Sequence, residues 1–178
     1  IRIMERHGVH IDMYSLEYND PAVLKMFADG FTNFIFQYES DGMKGMLKNL
    51  KPTTFEDLIL AVAVYRPGPM AFIPDIIDSK FNGTTSSFVK MAPALEDILK
   101  ETYGYPVYQE QVMAITREIG GFSMGKADNV RRAMSKKRDE YLAEQFPDFI
   151  QGAVERGYSK EVATTIWEQL QPFAKYGF

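Results

Sequence analysis

The chain has 178 residues, of which 46% are hydrophobic and 25% are charged. This length and balance fit one ordinary folded domain or a long subdomain with a sizeable core, and exclude a disordered chain. The net charge of −4 argues against a uniformly basic DNA-coating protein, so any contact with nucleic acid has to come from a local patch. Because the chain has no cysteine, disulfide scaffolds, zinc knuckles and thiol catalysis are excluded.

No membrane segment or secretory signal is predicted. The longest wholly apolar run, residues 58–65, is far shorter than the about 20 residues that a membrane-spanning helix needs, and it indicates a buried helix instead. The first residues carry charges without an apolar block behind them. The absence of cysteine permits a cytoplasmic location. Both ends of the sequence, at Ile1 and Phe178, lead us to expect a piece cut from a longer protein.

Helix signals dominate the first half of the chain. Residues 20–30 open with an Asp-Pro pair and close with glycine, which predicts a capped helix. Residues 31–38 alternate loosely with aromatic side chains and predict a short strand. Residues 54–57 resemble a capping box with Asp in place of Glu, and the apolar helix that they open is stopped by the Arg-Pro-Gly-Pro run at 66–69. The polar, turn-rich residues 80–90 predict a surface loop.

The second half is predicted to hold further helices. They span or begin at residues 93–102, 108–119, Ser123, 141–154 and Ser159. We expect a bend or a break at Pro147 and a stop at Pro172, because proline lacks the N–H donor that a helix interior requires. The predicted fold class is therefore mainly α, a multi-helix architecture with at most one or two short strands.

The most informative stretch is a basic segment at residues 126–138. It contains six cations, which are Lys126, Arg131, Arg132, Lys136, Lys137 and Arg138. Its single acid is Asp128. If Ala127, Val130 and Met134 face the core, the cations project from the solvent side of the helix as one positive ridge. The planar guanidinium groups of such a ridge match the closely spaced oxygens of a triphosphate. The open alternative is a solvated basic helix face, tied down by an ion pair from Asp128 to Arg132.

Other chemistry is scarce in the sequence. The only acid-x-acid pair, Glu39 and Asp41, lies at a predicted helix start, so it indicates capping rather than two-metal catalysis. His7 and His10 have no evident third ligand and predict surface or packing roles. The tyrosines at 103–108 predict half-buried packing, with base stacking as the alternative. We therefore predict no catalytic residue and no metal ligand in this chain.

Four strings of the sequence resemble the bacterial DNA polymerase III alpha subunit family, the C-family replicative DNA polymerases. They occur in that family's order and read FQYESDGMKGMLKNLKPTTFEDLILAVAVYRPGPM (36–70), ETYGYPVYQEQVMAI (101–115), GGFSMGKADNVRRAMSKK (120–137) and PFAKYGF (172–178). The first 35 residues match more weakly. The resemblance implies the fingers region, with residues 1–35 as a helical lead-in that follows the palm and residues 36–178 as the fingers core, truncated at its C-terminus.

The resemblance also implies a function. The fingers bind the incoming deoxynucleoside triphosphate and help to position the template-primer DNA during replication, while the palm holds the metal-binding aspartates. The piece alone is then expected to be inactive and to need no cofactor, with magnesium required by the full polymerase. The implied partners are the nucleotide, the DNA, the palm and thumb domains and other replicase subunits, in the cytoplasm and without a membrane.

Residue by residue, the resemblance assigns Arg131 and Arg132 to the arginine pair that meets the triphosphate, and Lys136 and Lys137 to the trailing lysines. Candidates for further contacts to DNA or nucleotide are Lys44, Arg66, Tyr108 and Lys126. Ser135 stands where many relatives have glycine, a departure that removes no charge. Two alternatives stay open at this point: a helical module that binds another replication protein without touching nucleotide, and an independent nucleotide- or nucleic-acid-binding domain.

Overall fold

The computed structural model describes residues 2–12 and 14–178, apart from the side chain of Tyr176. Across these residues the secondary structure is entirely helical, which confirms the predicted mainly α fold class. The α-helices are α1 (Arg2–Arg6), α2 (Pro21–Ala28), α3 (Asp41–Leu50), α4 (Phe55–Val64), α5 (Ile73–Asn82), α6 (Ser87–Met91), α7 (Glu96–Leu99), α8 (Gln109–Gly120), α9 (Met124–Ser135), α10 (Asp139–Glu155) and α11 (Lys160–Tyr176). Short 3-10 helices occupy Pro69–Phe72, Pro93–Leu95 and Lys100–Thr102. None of the helices in this described part has the length and apolar character that crossing a bilayer requires.

The chain divides into two compact units, Ile1–Leu58 and Ile59–Phe178. The division falls inside α4, so one helix contributes residues to both units. The division predicted from the resemblance, into a lead-in over residues 1–35 and a fingers core over 36–178, stays a prediction.

The smaller unit is organised by α2 and α3, which pack against each other. The carboxylate of Asp20 accepts hydrogen bonds from the backbone N–H groups of Ala22 (2.8 Å) and Val23 (3.0 Å), which satisfies donors that the first helical turn leaves unpaired. Leu24 and Phe27 are buried on the inner face of α2. The predicted capped helix over residues 20–30 is therefore confirmed.

The strand predicted over residues 31–38 is wrong, because this segment forms successive turns. Phe34 and Gln37 have φ angles of 64° and 69°, in the left-handed region, far from the φ of a regular strand. The hydroxyl of Thr32 donates to the carbonyl oxygen of Tyr38 at 2.6 Å and closes the segment on itself. The aromatic side chains of this segment do not line a pleated strand, since the rings of Phe31, Phe34 and Phe36 are exposed while that of Tyr38 packs on Phe27.

The capping box predicted at the start of α4 is confirmed. The carboxylate of Asp57, only 2% exposed, accepts the N–H groups of Thr53 (2.8 Å) and Thr54 (3.3 Å). In return the hydroxyl of Thr54 accepts the N–H of Asp57 at 3.2 Å. This reciprocal pairing starts the helix with aspartate in the place that glutamate or glutamine usually takes.

The Arg-Pro-Gly-Pro run ends α4, as predicted. The helix stops at Val64, and Gly68 has a φ of 99°, which glycine adopts without steric cost. Pro69 is the first residue of the following 3-10 helix, where the backbone N–H that proline lacks would have no acceptor within the helix. The turn leaves Arg66 at a stiff corner of the larger unit.

The larger unit is built on four long helices, α8 to α11, which pack against one another. The apolar face expected for α9 is confirmed and α8 also buries one, since the inward residues of both helices are at most 3% exposed: Val112, Ile115, Ile119, Ala127, Val130 and Met134. Each large side chain buried in this way stabilises the fold by roughly 1.5–3 kcal/mol. The core therefore holds α9 with its opposite face toward solvent.

The surface loop predicted over residues 80–90 is corrected by the structure. Helix α5 continues to Asn82 and α6 begins at Ser87, so only residues 83–86 connect them. Ser86 is buried and its hydroxyl caps α6 by accepting the N–H of Val89 at 3.2 Å. The serine and threonine run is a helix start, because Phe88 is 1% exposed and anchors the following turn in the core.

The predicted stop at Pro172 is wrong, since α11 continues to Tyr176. Pro172 lies on the exposed side of the helix, where the carbonyl that loses its partner can reach water. The residues that follow it, Phe173 and Ala174, are fully buried, and the Phe173 ring centroid is 4.5 Å from that of Phe72. Core packing therefore outweighs the missing hydrogen bond, and α10 is likewise one helix through Pro147.

Candidate phosphate-binding site

Helix α9 and the turn after it carry the basic segment. Ser123 caps the helix by accepting the N–H of Lys126 at 3.3 Å, as predicted. The helix ends at Ser135, and Lys137 has a φ of 52°, so the chain turns away at that point. The predicted single ridge is therefore corrected, because Arg131 and Arg132 lie on the helix while the three exposed cations at 136–138 lie on the turn that follows.

Asp128 joins the two arginines of the predicted site. Its Oδ1 accepts hydrogen bonds from Nε (3.1 Å) and NH2 (2.6 Å) of Arg131, and its Oδ2 lies 2.7 Å from NH2 of Arg132. Spacings of three and four residues bring these side chains together on one helix face. The ion pair that the solvated-face alternative predicted is thus present, and it includes Arg131 as well.

Arg131 is also held from α8. Its NH1 group donates to Oε1 of Gln109, and Nε2 of Gln109 donates to the carbonyl oxygen of Gly177 at 3.1 Å. The backbone N–H of Gln109 donates to the carbonyl oxygen of Phe178 at 3.1 Å. Gln109 was not among the predicted site residues. In the sequence it is distinguished only by its position in the Tyr-Gln-Glu-Gln motif at 108–111.

Two further predicted residues meet at the ring of Phe178. The guanidinium carbon of Arg66 lies 4.6 Å from the centre of this ring, within the range of a cation–π contact. The ring of Tyr108 lies 6.5 Å from it at an angle of 63°. The fold therefore gathers Arg66, Tyr108 and Arg131 around the Gly177–Phe178 segment, although they are far apart in the sequence.

The structure does not bring Lys126 into this group. Lys126 pairs with Asp148 of α10 at 2.6 Å and lies over the Phe122 ring at 4.2 Å. Lys44 belongs to the smaller unit, where its amino group donates to Asn33 at 2.7 Å. A contact of either lysine with DNA or nucleotide stays a prediction.

Within residues 2–12 and 14–178, no group of three His, Cys, Asp or Glu side chains is arranged to hold a metal ion. His7 and His10 are exposed, and Asp41 lies in the first turn of α3, whose cap is Ser40. The resemblance implies a magnesium requirement for the full polymerase. That requirement stays a prediction about parts of the polymerase beyond this chain.

The two arginines lower the pKa of Asp128 below its usual value, chiefly through the hydrogen bond from Arg131. Because the folded-state pKa is depressed, the stability that this network contributes is present above the unfolded-state value of about 3.9 and is lost as the pH falls through the folded-state pKa. We expect an NMR titration to give a midpoint for Asp128 below about 3.9, and a higher midpoint in Arg131→Ala. The variant Arg117→Ala is the control, and an unchanged midpoint in Arg131→Ala would contradict the assignment.

Comparisons with known proteins identify the family of this chain. The family described as bacterial DNA polymerase III alpha subunit finger domain matches residues 1–157. The DNA polymerase III subunit alpha of Halalkalibacterium halodurans is 46% identical over 177 residues, which cover 99% of this chain and 16% of that protein. The corresponding subunit of Treponema pallidum is 49% identical over 159 residues, covering 89% of this chain and 13% of that protein. This chain thus spans only a small part of the relatives' length, and it belongs to the finger-domain family of the bacterial DNA polymerase III alpha subunit.

Proposed function

We propose that this chain is the part of a bacterial DNA-directed DNA polymerase that binds the incoming deoxynucleoside triphosphate during replication. The observation that carries the proposal is the pair of guanidinium groups, Arg131 and Arg132, that meet at one carboxylate beside an exposed basic turn. The pair already holds an anionic group with ion-pair geometry. A phosphate oxygen has the same charge and hydrogen-bonding requirements as that carboxylate oxygen.

In this proposal the chain positions the nucleotide and supplies no catalytic group. Arg131 and Arg132 neutralise charge on the β- and γ-phosphates, and Lys136 and Lys137 add positive charge from the turn. Such contacts lower the barrier to phosphoryl transfer by holding the reacting groups in line and by stabilising developing charge. The aspartates and the magnesium of the reaction belong to the palm of the full polymerase, so the chain alone is inactive.

Other features support contacts with the template-primer. Arg66 and Tyr108 both contact the Phe178 ring, and Gln109, the residue after Tyr108, accepts a hydrogen bond from Arg131. In this proposal the base of a nucleotide whose phosphates bind the arginines, or the primer end, contacts these groups. Lys44 and Lys126 are proposed as further contacts, and the palm, the thumb and other replicase subunits as partners in the cytoplasm.

An NMR titration of the 178-residue chain with a deoxynucleoside triphosphate tests the proposal. We expect the amide signals of Arg131, Arg132, Lys136 and Lys137 to shift together, with and without magnesium, because the phosphates bind side chains in this segment. The double variant Arg131→Ala, Arg132→Ala is expected to remove the shifts. Equal shifts in the double variant, or shifts confined to other parts of the chain, would refute phosphate binding at α9.

A second candidate function is a protein-binding module of the replication machinery. Three aromatic side chains on the turns of the smaller unit are largely exposed, namely Phe31 (72%), Phe34 (97%) and Phe36 (81%). Exposed apolar groups in such proximity favour contact with another protein surface. A partner whose affinity drops on Phe34→Ser and is unaffected by triphosphate would support this function.

A further inference from the structure

Asp128 occupies the hydrogen-bonding positions that a phosphate needs. We propose that Asp128 is an internal anion that competes with the nucleotide for Arg131 and Arg132 and thereby limits the affinity of this site for triphosphates. The inference rests on the proposed function and adds to it a residue that sets how tightly the nucleotide binds. Three observations support it: the N–H donors of Arg131 that Asp128 occupies, the solvent exposure of the two arginines, and the negative charge of the Asp128 carboxylate.

The donors of Arg131 are largely taken. Its guanidinium has five N–H donors in a planar fork, and the edge formed by Nε and NH2 is one that binds carboxylate or phosphate through two bonds. That edge faces Oδ1 of Asp128, at 3.1 Å and 2.6 Å, while NH1 is held by Gln109. The side chain is only 19% exposed. A phosphate can use the Nε and NH2 edge only by displacing the carboxylate.

Arg132 is bound less firmly. A single contact of 2.7 Å joins its NH2 group to Oδ2 of Asp128, and its side chain is 61% exposed. An exposed ion pair of this kind contributes little stability, so its release costs little. Arg132 is therefore the arginine that leaves Asp128 first when a phosphate approaches.

Charge gives the direction of the effect. The aspartate cancels one of the two positive charges that the arginines carry, so a phosphate meets a weaker positive site than the arginines alone would form. Asp128→Asn keeps the shape of the side chain and one oxygen that can accept from Arg131, and it removes the negative charge. At this partly exposed site, where solvent keeps the effective dielectric constant closer to that of water, removing one charge within a few ångström of a polyanion is expected to tighten binding by about tenfold.

Calorimetric titration of the 178-residue chain tests the inference, with magnesium-free deoxyadenosine triphosphate and with tripolyphosphate as probes. The control is Asp29→Asn, which makes the same change in charge and breaks an i,i+4 ion pair with Lys25 in the smaller unit, at 2.7 Å. We expect Asp128→Asn to bind both probes about tenfold more tightly than the unmodified chain. Asp29→Asn is expected to change binding by less than about twofold, because the ion-pair partner of Asp29 is Lys25 and not an arginine of α9.

Each result has a distinct meaning. Equal or weaker binding by Asp128→Asn overturns the inference, and weaker binding would make Asp128 a residue that positions the arginines. Tightening of similar size in Asp29→Asn also overturns it, because net charge alone would then explain the gain. If Arg132→Ala loses affinity while Asp128→Asn gains none, only the inference fails. If binding does not depend on either arginine, or no variant binds, the proposed function fails together with the inference.

Discussion

Replacing Arg131 with alanine in a full polymerase that carries this segment is expected to lower kcat/KM for deoxynucleoside triphosphates by about tenfold or more. A hydrogen bond to a charged group contributes about 1.5–3 kcal/mol, and about 1.4 kcal/mol corresponds to a factor of ten in rate. The variant removes the guanidinium whose edge faces Asp128 and whose remaining donors reach Gln109. Steady-state primer extension at varied nucleotide concentration measures the effect.

Two companion variants show what the loss means. Arg131→Lys keeps the charge without the planar fork, so we expect kcat/KM between those of the parent and Arg131→Ala. Arg117→Ala removes an exposed arginine about two helical turns along α8 from Gln109, and we expect little change. Because Arg131 also links α9 to α8, thermal unfolding of each variant has to be compared with the parent. Parent-like kinetics in a folded Arg131→Ala enzyme would contradict the assignment.

Gly152→Ala is expected to destabilise the larger unit by about 3 kcal/mol or more. Adding atoms to a packed core usually costs about 1–3 kcal/mol, and we expect the upper end of this range or beyond because the added atom would clash with backbone and not with a movable side chain. A Cβ atom on Gly152 of α10 would overlap the carbonyl oxygen of Gly120, the last residue of α8. Both groups belong to helix backbones. The added methyl group can therefore be accommodated only if α8 and α10 move apart.

The chain offers a matched control for that substitution. Gly125, in the first turn of α9, has open space where a Cβ atom would lie, so Gly125→Ala adds the same methyl group without a clash. We expect it to be neutral or to stabilise by up to about 1 kcal/mol, because alanine favours the helix. Urea unfolding followed by fluorescence of the single tryptophan, Trp167, reports on the larger unit, where its side chain is 3% exposed. Equal stability of the two variants would contradict the predicted clash.

Local signals were sufficient at several helix starts. The caps at Asp20, Ser123 and Ser159 were all predicted, because the hydrogen bond from the cap to the following N–H groups involves residues within one helical turn. Helix ends and loops were predicted less well. Pro172 does not end α11, since Phe173 lies in the core, and residues 31–38 form turns through two left-handed residues that a pattern of aromatic side chains does not reveal.

The candidate site shows the same division. The basic segment and its pairing with Asp128 were visible in the sequence, because three- and four-residue spacings place these side chains on one helix face. The support of Arg131 by Gln109 was not visible, since 22 residues separate the two side chains. No spacing rule connects Arg66 with the ring of Phe178 either.

Composition, periodicity and hydrogen bonds within one helical turn are enough to establish that this protein is mainly α, where several of its capped helices start and that its cations concentrate at residues 126–138. The quoted motifs are enough to establish which family it resembles. Three other features were evident only in the tertiary structure. Helix α11 continues through Pro172, and Gly120 and Gly152 have no room for a side chain. Arg66, Tyr108 and Arg131 come together in the larger unit. These features depend on the close packing of residues far apart in the chain, where burial of apolar area outweighs local preference.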